Sequence, residues 1–196
     1  MKRLTLVSLG VFLVLGVINN VAASLFAKTF GIGLLDLNGG ASLIEPAPPD
    51  GFPTNGSAQV AAIMAAYSPS AATAHVALTL TLDILFPAAA VTFGWAASRT
   101  LTVVFQWPRP VATVGVILSI GYGFGELMEN GVELALLFGN RSQFLMTTLP
   151  GLHVFKSIIA GLLVVFLAVC YLTVLASRIL ARLQAPLARP TAPADA

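Results

Sequence analysis

Charged residues are scarce in this sequence. Lysine, arginine, aspartate and glutamate make up only 9% of the 196 residues, whereas hydrophobic residues make up 57%. The mean hydropathy is +0.91. In an average soluble domain about a quarter of the residues are charged. So few charges cannot cover the surface of a soluble protein of this length, and we therefore expect an integral membrane protein.

Cysteine is also nearly absent. The single cysteine, Cys170, excludes an intrachain disulfide framework, a CxxC redox pair and a thiolate metal cluster. The sequence contains no phosphate-binding glycine loop, GxSxG elbow or haem-attachment motif. The net charge of +2 comes from basic residues near predicted helix ends, which is not a nucleic-acid-binding pattern. We predict that the protein binds no cofactor and no nucleic acid. The expected partner is a membrane lipid or a small hydrophobic ligand. A second copy of this chain or a larger membrane complex is the alternative.

Apolar runs of about 20 residues, the length that a membrane span requires, occur four times. The sequence therefore predicts an all-α membrane protein, a four-helix bundle. Its segments are span one at 1–27, an extracytoplasmic loop at 28–73 with a short helix near 57–67, span two at 74–98, a cytoplasmic loop at 99–110, span three at 111–138, an outer loop at 139–150, span four at 151–177, and a disordered basic, Pro- and Ala-rich tail at 178–196. Cleavage of span one as a signal peptide is the alternative for this segment.

The basic residues predict the orientation of the bundle. With the N-terminus inside, seven lysines and arginines are cytoplasmic and two are outside, which is the bias expected of a cytoplasmic face. We therefore expect both termini in the cytoplasm and the 28–73 loop outside. The predicted location is the cell membrane, as a multi-pass protein of a bacterial inner membrane.

Span three carries three glutamates in an otherwise apolar stretch. Glu126, Glu129 and Glu133 recur at i, i+3 and i+7, so a helix places them on one face. Asn130 lies beside them, and Tyr122 precedes Glu126 by one turn. Carboxylates at membrane depth are costly and usually point into a bundle or a water-filled cavity. This face is the predicted functional site.

Two other spans bring ionisable groups to a similar depth. At about 1.5 Å per residue, Asp83 in span two and Lys156 in span four lie roughly 9–14 Å below the outer surface, as Glu129 does. His75 and His153 lie closer to the outer rim. Candidate catalytic residues are Asp83, Glu126 and Glu129. Candidate ligand-binding residues are His75, Tyr122, Asn130, Glu133, His153 and Lys156.

The acids in this region outnumber the one certain base, Lys156. We therefore expect that some of them are protonated or that a cation lies among them, which suits a proton relay, a general acid or an anionic pocket. A structural interpretation stays open for each group, including an Asp83–Lys156 ion pair and an Asn130 bridge between helices. Three acids share one helix and no Glu-x-x-His motif occurs, unlike a four-helix di-iron protein, so no metal site is predicted.

Small residues and a proline shape the predicted spans. Pro87 follows Asp83 by four residues, so it removes the helical hydrogen bond to the Asp83 carbonyl and favours a kink. Gly121 and Gly125 form a GxxxG pair, which favours close approach of another helix.

Two resemblances rest on these residues. The segment Asp83-Ile-Leu-Phe86-Pro87, combined with Glu126-Leu-Met-Glu129-Asn130 and Lys156, resembles a set of small bacterial four-span membrane proteins that carry no established activity. The four spans, the long first loop with a short helix, the acid before Phe86-Pro87 and the further acid in span three are similar to the EXPERA superfamily, which includes emopamil-binding protein and the sigma-2 receptor. That resemblance implies buried acids that bind cationic amphiphiles or protonate a sterol double bond. Asp83 matches the span-two acid and Glu126 or Glu129 the span-three acid.

The sequence is compatible with three functions. The first is binding of, or proton transfer to, a hydrophobic or amphipathic molecule at an acidic intramembrane site in the outer half of the bundle. The second is a proton- or cation-coupled transporter or channel subunit, and the third is a structural subunit of a larger membrane complex. A sealed apolar-walled pocket reached from the lipid would favour the first, and a continuous polar path to the cytoplasmic side would favour the second. The inner halves of the spans offer few polar residues, which argues against such a path.

Overall fold

The computed structural model describes residues 1–35 and 56–184. Within these residues the chain is all-helical, and its helices are α1 (Lys2–Phe30), α2 (Gly56–Ala66), α3 (Pro69–Thr79), α4 (Leu82–Val103), α5 (Arg109–Leu137) and α6 (Gln143–Gln184). Four stretches are long and apolar enough to cross a membrane, namely Lys2–Phe30, Pro69–Val103, Arg109–Leu137 and Gln143–Leu183. The predicted all-α fold with four membrane-length helices is confirmed. The orientation of the termini stays a prediction.

The helices pack as a bundle in which α5 lies between α4 and α6 and α1 packs along α4. The N-terminal end of α1 meets the C-terminal end of α4, where the Thr5 and Thr100 hydroxyl groups lie 2.8 Å apart. We call this end of the bundle the inner end. The opposite end, where α5 finishes and α6 begins, is the outer end.

Small residues bring α4 and α5 into close contact. A Cβ atom placed on Gly94 would overlap Ser119 Oγ, and one placed on Gly115 would overlap Ser98 Oγ. Both serine hydroxyls donate to a backbone carbonyl of their own helix, Ser98 to Gly94 and Ser119 to Gly115, each at 2.7 Å. The pairing therefore fits two small side chains against two glycines and leaves both hydroxyls satisfied.

The outer end is covered by α2. Its 11 residues extend only about 16 Å, too short to span a bilayer. The apolar side chains of α2 pack against residues of α5, of α6 and of the segment that follows α1. The buried members of this cluster are Leu35, Val60, Ile63, Met64, Leu136 and Leu149. A short helix was predicted near 57–67, and the structure has one at Gly56–Ala66.

The second membrane stretch is interrupted between α3 and α4, where the sequence favoured one span at 74–98 with a kink near Pro87. The helix begins earlier, at Pro69, with Ser68 capping the Ala71 amide at 3.1 Å. It breaks at Leu80 and Thr81, and the Thr81 hydroxyl donates to the Ala77 carbonyl at 2.6 Å. The local hydrogen bonds of Thr81 thus replace regular helical bonds, and Asp83 lies in the first turn of α4.

The last helix is longer at both ends than the predicted span at 151–177. It starts at Gln143, within the predicted outer loop at 139–150, and passes through Pro150. Membrane helices accommodate proline because nearby hydroxyl groups and neighbouring helices satisfy the freed backbone groups. At the other end, helix-favouring residues carry α6 through Arg178 to Gln184. The rest of the predicted disordered tail, 185–196, and the loop residues 36–55 lie outside the described residues.

Candidate functional site

A lysine of α6 lies between two glutamates of α5. Lys156 Nζ is 3.3 Å from Glu126 Oε2 and 2.5 Å from Glu129 Oε2. His153, one turn earlier on α6, places Nδ1 3.0 Å from Glu129 Oε1. Glu126, Glu129 and Lys156 are all buried, while the His153 side chain is 16% exposed. These four residues form what we call the carboxylate–lysine cluster.

Glycine allows the two helices of this cluster to approach each other. A Cβ atom on Gly125 would lie 3.1 Å from Lys156 Cβ and 3.4 Å from Phe155 Cδ1, which is tighter than most side-chain contacts. A Cβ atom on Gly121 would lie at an ordinary 3.6 Å from Ile159. The GxxxG pair therefore faces α6, and Gly125 in particular sets the close approach that brings Lys156 to the glutamates.

The third glutamate of α5 belongs to a different group. Glu133 Oε2 lies 3.8 Å from Nε2 of His75 on α3, and both side chains are fully buried. On its other side the His75 ring meets Tyr67, whose hydroxyl oxygen is 2.9 Å from Nδ1 and 3.0 Å from the Gly33 carbonyl oxygen. We call Tyr67, His75 and Glu133 the outer triad.

The protons of the outer triad follow from its hydrogen bonds. Burial raises the pKa of the Tyr67 hydroxyl well above its usual range, and the charge of Glu133 raises it further, so the hydroxyl keeps its proton. That single proton is donated to the Gly33 carbonyl, because a carbonyl can only accept. The tyrosine oxygen therefore accepts from Nδ1–H of His75, and Nε2 is the ring nitrogen left to face Glu133.

Tyr67 was not among the predicted site residues. It lies just beyond α2, where its ring also packs against Phe26 of α1 with the ring centres 5.9 Å apart. A single tyrosine at the end of an alanine-rich helix has no periodic pattern that would identify it. The only available signal was its hydroxyl group in an otherwise apolar stretch.

Asn130 connects α5 to α4 through the carbonyl that Pro87 leaves without its usual donor. Its side-chain Nδ2 donates to the backbone oxygen of Asp83 at 2.8 Å. In a regular helix the amide of residue 87 would donate to this oxygen, but proline has no amide proton. Asn130 therefore has a structural role, and it holds the start of α4 against the glutamate face of α5.

An apolar cavity of about 350 Å³ lies among α1, α4, α5 and α6. Its walls are aromatic and aliphatic, and Phe12 of α1 stacks between Phe86 and Phe93 of α4, with ring centres 5.2 and 5.9 Å apart. Tyr122 lines the cavity from α5. Of the predicted site residues, Tyr122 is the one that contributes to this wall.

The predicted site residues thus separate into neighbouring groups. Glu126, Glu129, His153 and Lys156 come together, Glu133 joins His75 closer to the outer end, and Tyr122 faces the cavity. Asp83 is buried at the start of α4 and meets Asn130 through its carbonyl. In the described part of the chain, no group of three His, Cys, Asp or Glu residues is arranged to hold a metal ion.

No protein-family model, curated protein or solved structure matches this chain. The resemblances to small bacterial four-span proteins and to the EXPERA superfamily therefore stay predictions.

Proposed function

We propose that this protein binds a hydrophobic or amphipathic small molecule, with the apolar part in the cavity and a polar head at the carboxylate–lysine cluster. The proposal rests on one observation, the position of the cavity relative to the cluster. Tyr122, on the cavity wall, precedes Glu126 by one helical turn, and the wall residue Ala160 follows Lys156 by one turn. One turn rises about 5.4 Å, so the two regions adjoin.

The size and lining of the cavity support this function. Cavities that hold small molecules typically measure about 300–1,000 Å³ and combine apolar walls with a few placed polar groups. At about 350 Å³ this cavity is at the small end of that range. Phe86, another wall residue, follows Asp83 by three residues, so the acids of both α4 and α5 stand at the same side of the cavity.

The charges near the cavity favour a cationic head group or a proton. Asp83, Glu126 and Glu129 supply three acids, against one base, Lys156, that is ionised in its ordinary state. Protonation of His153 would lower the excess negative charge but not remove it. A head group that is an amine, or that accepts a proton from one of these acids, compensates the remaining charge. Proton transfer to the bound molecule is the catalytic form of the same proposal.

The alternatives receive less support from the geometry. A transporter needs polar groups that continue toward the inner end, but the cavity wall next to the cluster is apolar. Beyond it, the buried hydroxyls of Ser98 and Ser119 donate to carbonyls of their own helices. These hydroxyls serve helix packing.

Native mass spectrometry of the purified protein, followed by lipid extraction, tests the proposal. We compare the wild type with a Glu126→Gln/Glu129→Gln double variant and with Ala160→Phe, which fills the cavity. Ala168→Phe is the matched control, because Ala168 is exposed on the same helix. We expect a defined bound molecule, or added dodecylamine, on the wild type and on the control, and its loss from the other two variants.

Equal retention of bound species by the wild type and by the folded Glu126→Gln/Glu129→Gln variant would contradict the polar-head assignment. Retention by Ala160→Phe would contradict the cavity assignment. Dodecanoic acid, which has the same chain and the opposite charge, tests the head group. Its preferential binding would overturn the argument from charge.

A further inference from the structure

The cavity is not enclosed on all sides. Val164 of α6 lines it and yet is 66% exposed on the surface of the bundle. A side chain can meet both conditions only at the rim of an opening. Gly161, one turn earlier on α6, is also exposed, and no atom lies within 4 Å of the position where its Cβ would be.

The other rim of this opening belongs to α1. This helix packs on α4 and, toward the outer end, on α3, while α6 packs on α5, α2 and α4. Among the described residues α1 and α6 are not a closely packed pair, although both line the cavity. Phe12 is held on the α1 side by its two ring contacts with α4.

The surroundings of the opening are apolar. Next to Val164 on α6, Leu162 and Val165 are 51% and 61% exposed, and on α1 Leu13 is 56% exposed. Exposed aliphatic side chains on helices of membrane length are the surface that lipid acyl chains contact. The outer end, in contrast, is closed by the buried cluster between α2, α5 and α6.

We propose that the gap between α1 and α6 at Phe12 and Val164 is a lateral portal, through which the ligand enters the cavity from the lipid bilayer. The inference rests on the proposed function and makes it more specific. The ligand is a lipid-soluble amphiphile whose apolar part passes between two helices, and its head group follows the cavity wall to Glu126 and Lys156. The inference predicts that a water-soluble metabolite is not the ligand.

A reversible crosslink across the portal tests this inference. Phe12 and Val164 are replaced by cysteine in a Cys170→Ala background, which removes the single native cysteine. The protein, in phosphatidylcholine vesicles, is loaded with radiolabelled dodecylamine and then treated with a bis-methanethiosulfonate reagent. We expect release of the probe into excess unlabelled dodecylamine to slow at least tenfold and to recover after reduction of the crosslink.

The matched control joins α1 to α4 instead of α6. Thr5→Cys/Thr100→Cys is suitable because the two hydroxyls are 2.8 Å apart and Thr5 lies about two helical turns from Phe12. This crosslink should leave the release rate unchanged. An equally slow release from the control would mean that motion of α1, and not closure of the portal, limits exchange, and it would overturn the inference.

A second pair of variants tests the portal without a crosslink, in case the crosslink does not form. Val164→Trp narrows the opening, whereas Val165→Trp places the same side chain on the neighbouring lipid-facing position. Slower release from Val164→Trp alone supports the portal, and equal rates contradict it. Absence of saturable dodecylamine binding to the wild type would instead contradict the proposed function, so the two failures are distinguishable.

Discussion

The hydrogen bond between Asn130 and the Asp83 carbonyl yields a prediction that depends on Pro87. Replacing Asn130 by leucine removes the donor at 2.8 Å and leaves a buried carbonyl oxygen that the proline cannot serve. An unsatisfied buried polar group costs about 1–3 kcal/mol. We expect Asn130→Leu to lower the free energy of unfolding by that amount.

The same substitution should cost less when residue 87 has an amide proton. In Pro87→Ala, the backbone amide at position 87 can donate to the Asp83 carbonyl as in a regular helix. In this background the Asp83 carbonyl has two donors, the Asn130 side chain and the amide of residue 87, and Asn130→Leu removes only one of them. In the wild type, Asn130 is the only donor that residues 87 and 130 provide. We expect its cost to fall by about 1 kcal/mol or more, which a double-mutant cycle reports as a coupling energy between residues 87 and 130.

Reversible unfolding in mixed micelles, with helicity followed by circular dichroism, would measure all four proteins of the cycle. An identical cost of Asn130→Leu in the wild type and in the Pro87→Ala background would refute the reasoning. It would show that Asn130 stabilises the bundle without serving this carbonyl.

Three further predictions concern other contacts. Gly94→Ala should lower stability by about 1–3 kcal/mol because its Cβ would overlap Ser119 Oγ, whereas Gly131→Ala, with no atom within 4 Å, should be neutral or raise stability in the same unfolding assay. A lower stability of Gly131→Ala than of Gly94→Ala would contradict the packing argument. Lys156→Met should lower the free energy of unfolding by about 3–5 kcal/mol because it leaves two buried carboxylates without their lysine. Adding Glu126→Gln and Glu129→Gln should restore part of this stability. No restoration would argue against the ion pairs as the cause. The pKa of Tyr67 is higher in the folded protein than the unfolded value of about 10, so above pH 10 only the unfolded state loses this proton. The free energy of unfolding should therefore fall there by up to about 1.4 kcal/mol per pH unit relative to Tyr67→Phe. Parallel pH profiles for the two proteins would contradict the placement of Tyr67.

The glutamate face of α5 could be predicted because it depends only on helical periodicity. Positions 126, 129 and 133 share a face whatever the rest of the bundle does. Which base each glutamate meets depends on the rotation and depth of α3 and α6, and neither can be obtained from spacing along one helix. The assignment of Glu133 to His75, and of Glu126 and Glu129 to Lys156, therefore required the structure.

The predicted and observed helices differ at Pro150 and at Leu80–Thr81. A loop was predicted at 139–150, which ends at Pro150-Gly151, and this dipeptide commonly marks turns in soluble proteins. In the structure, α6 continues through Pro150. The hydroxyls of Thr147 and Thr148 donate to the carbonyls of Gln143 and Phe144, and neither of these is the carbonyl that Pro150 leaves without a donor. The break at Leu80–Thr81 has no proline or glycine to mark it, so local sequence did not indicate it.

The opening at Val164 affects how any affinity of this protein should be expressed. A molecule that reaches the cavity from lipid equilibrates with its mole fraction in the bilayer, and its aqueous concentration matters only through partitioning. Two compounds with equal intrinsic affinity but a tenfold difference in partition coefficient would then differ tenfold in apparent Kd, about 1.4 kcal/mol. Apparent Kd expressed against the total added concentration would also rise with the amount of lipid in the assay, whereas the value per mole fraction would stay constant.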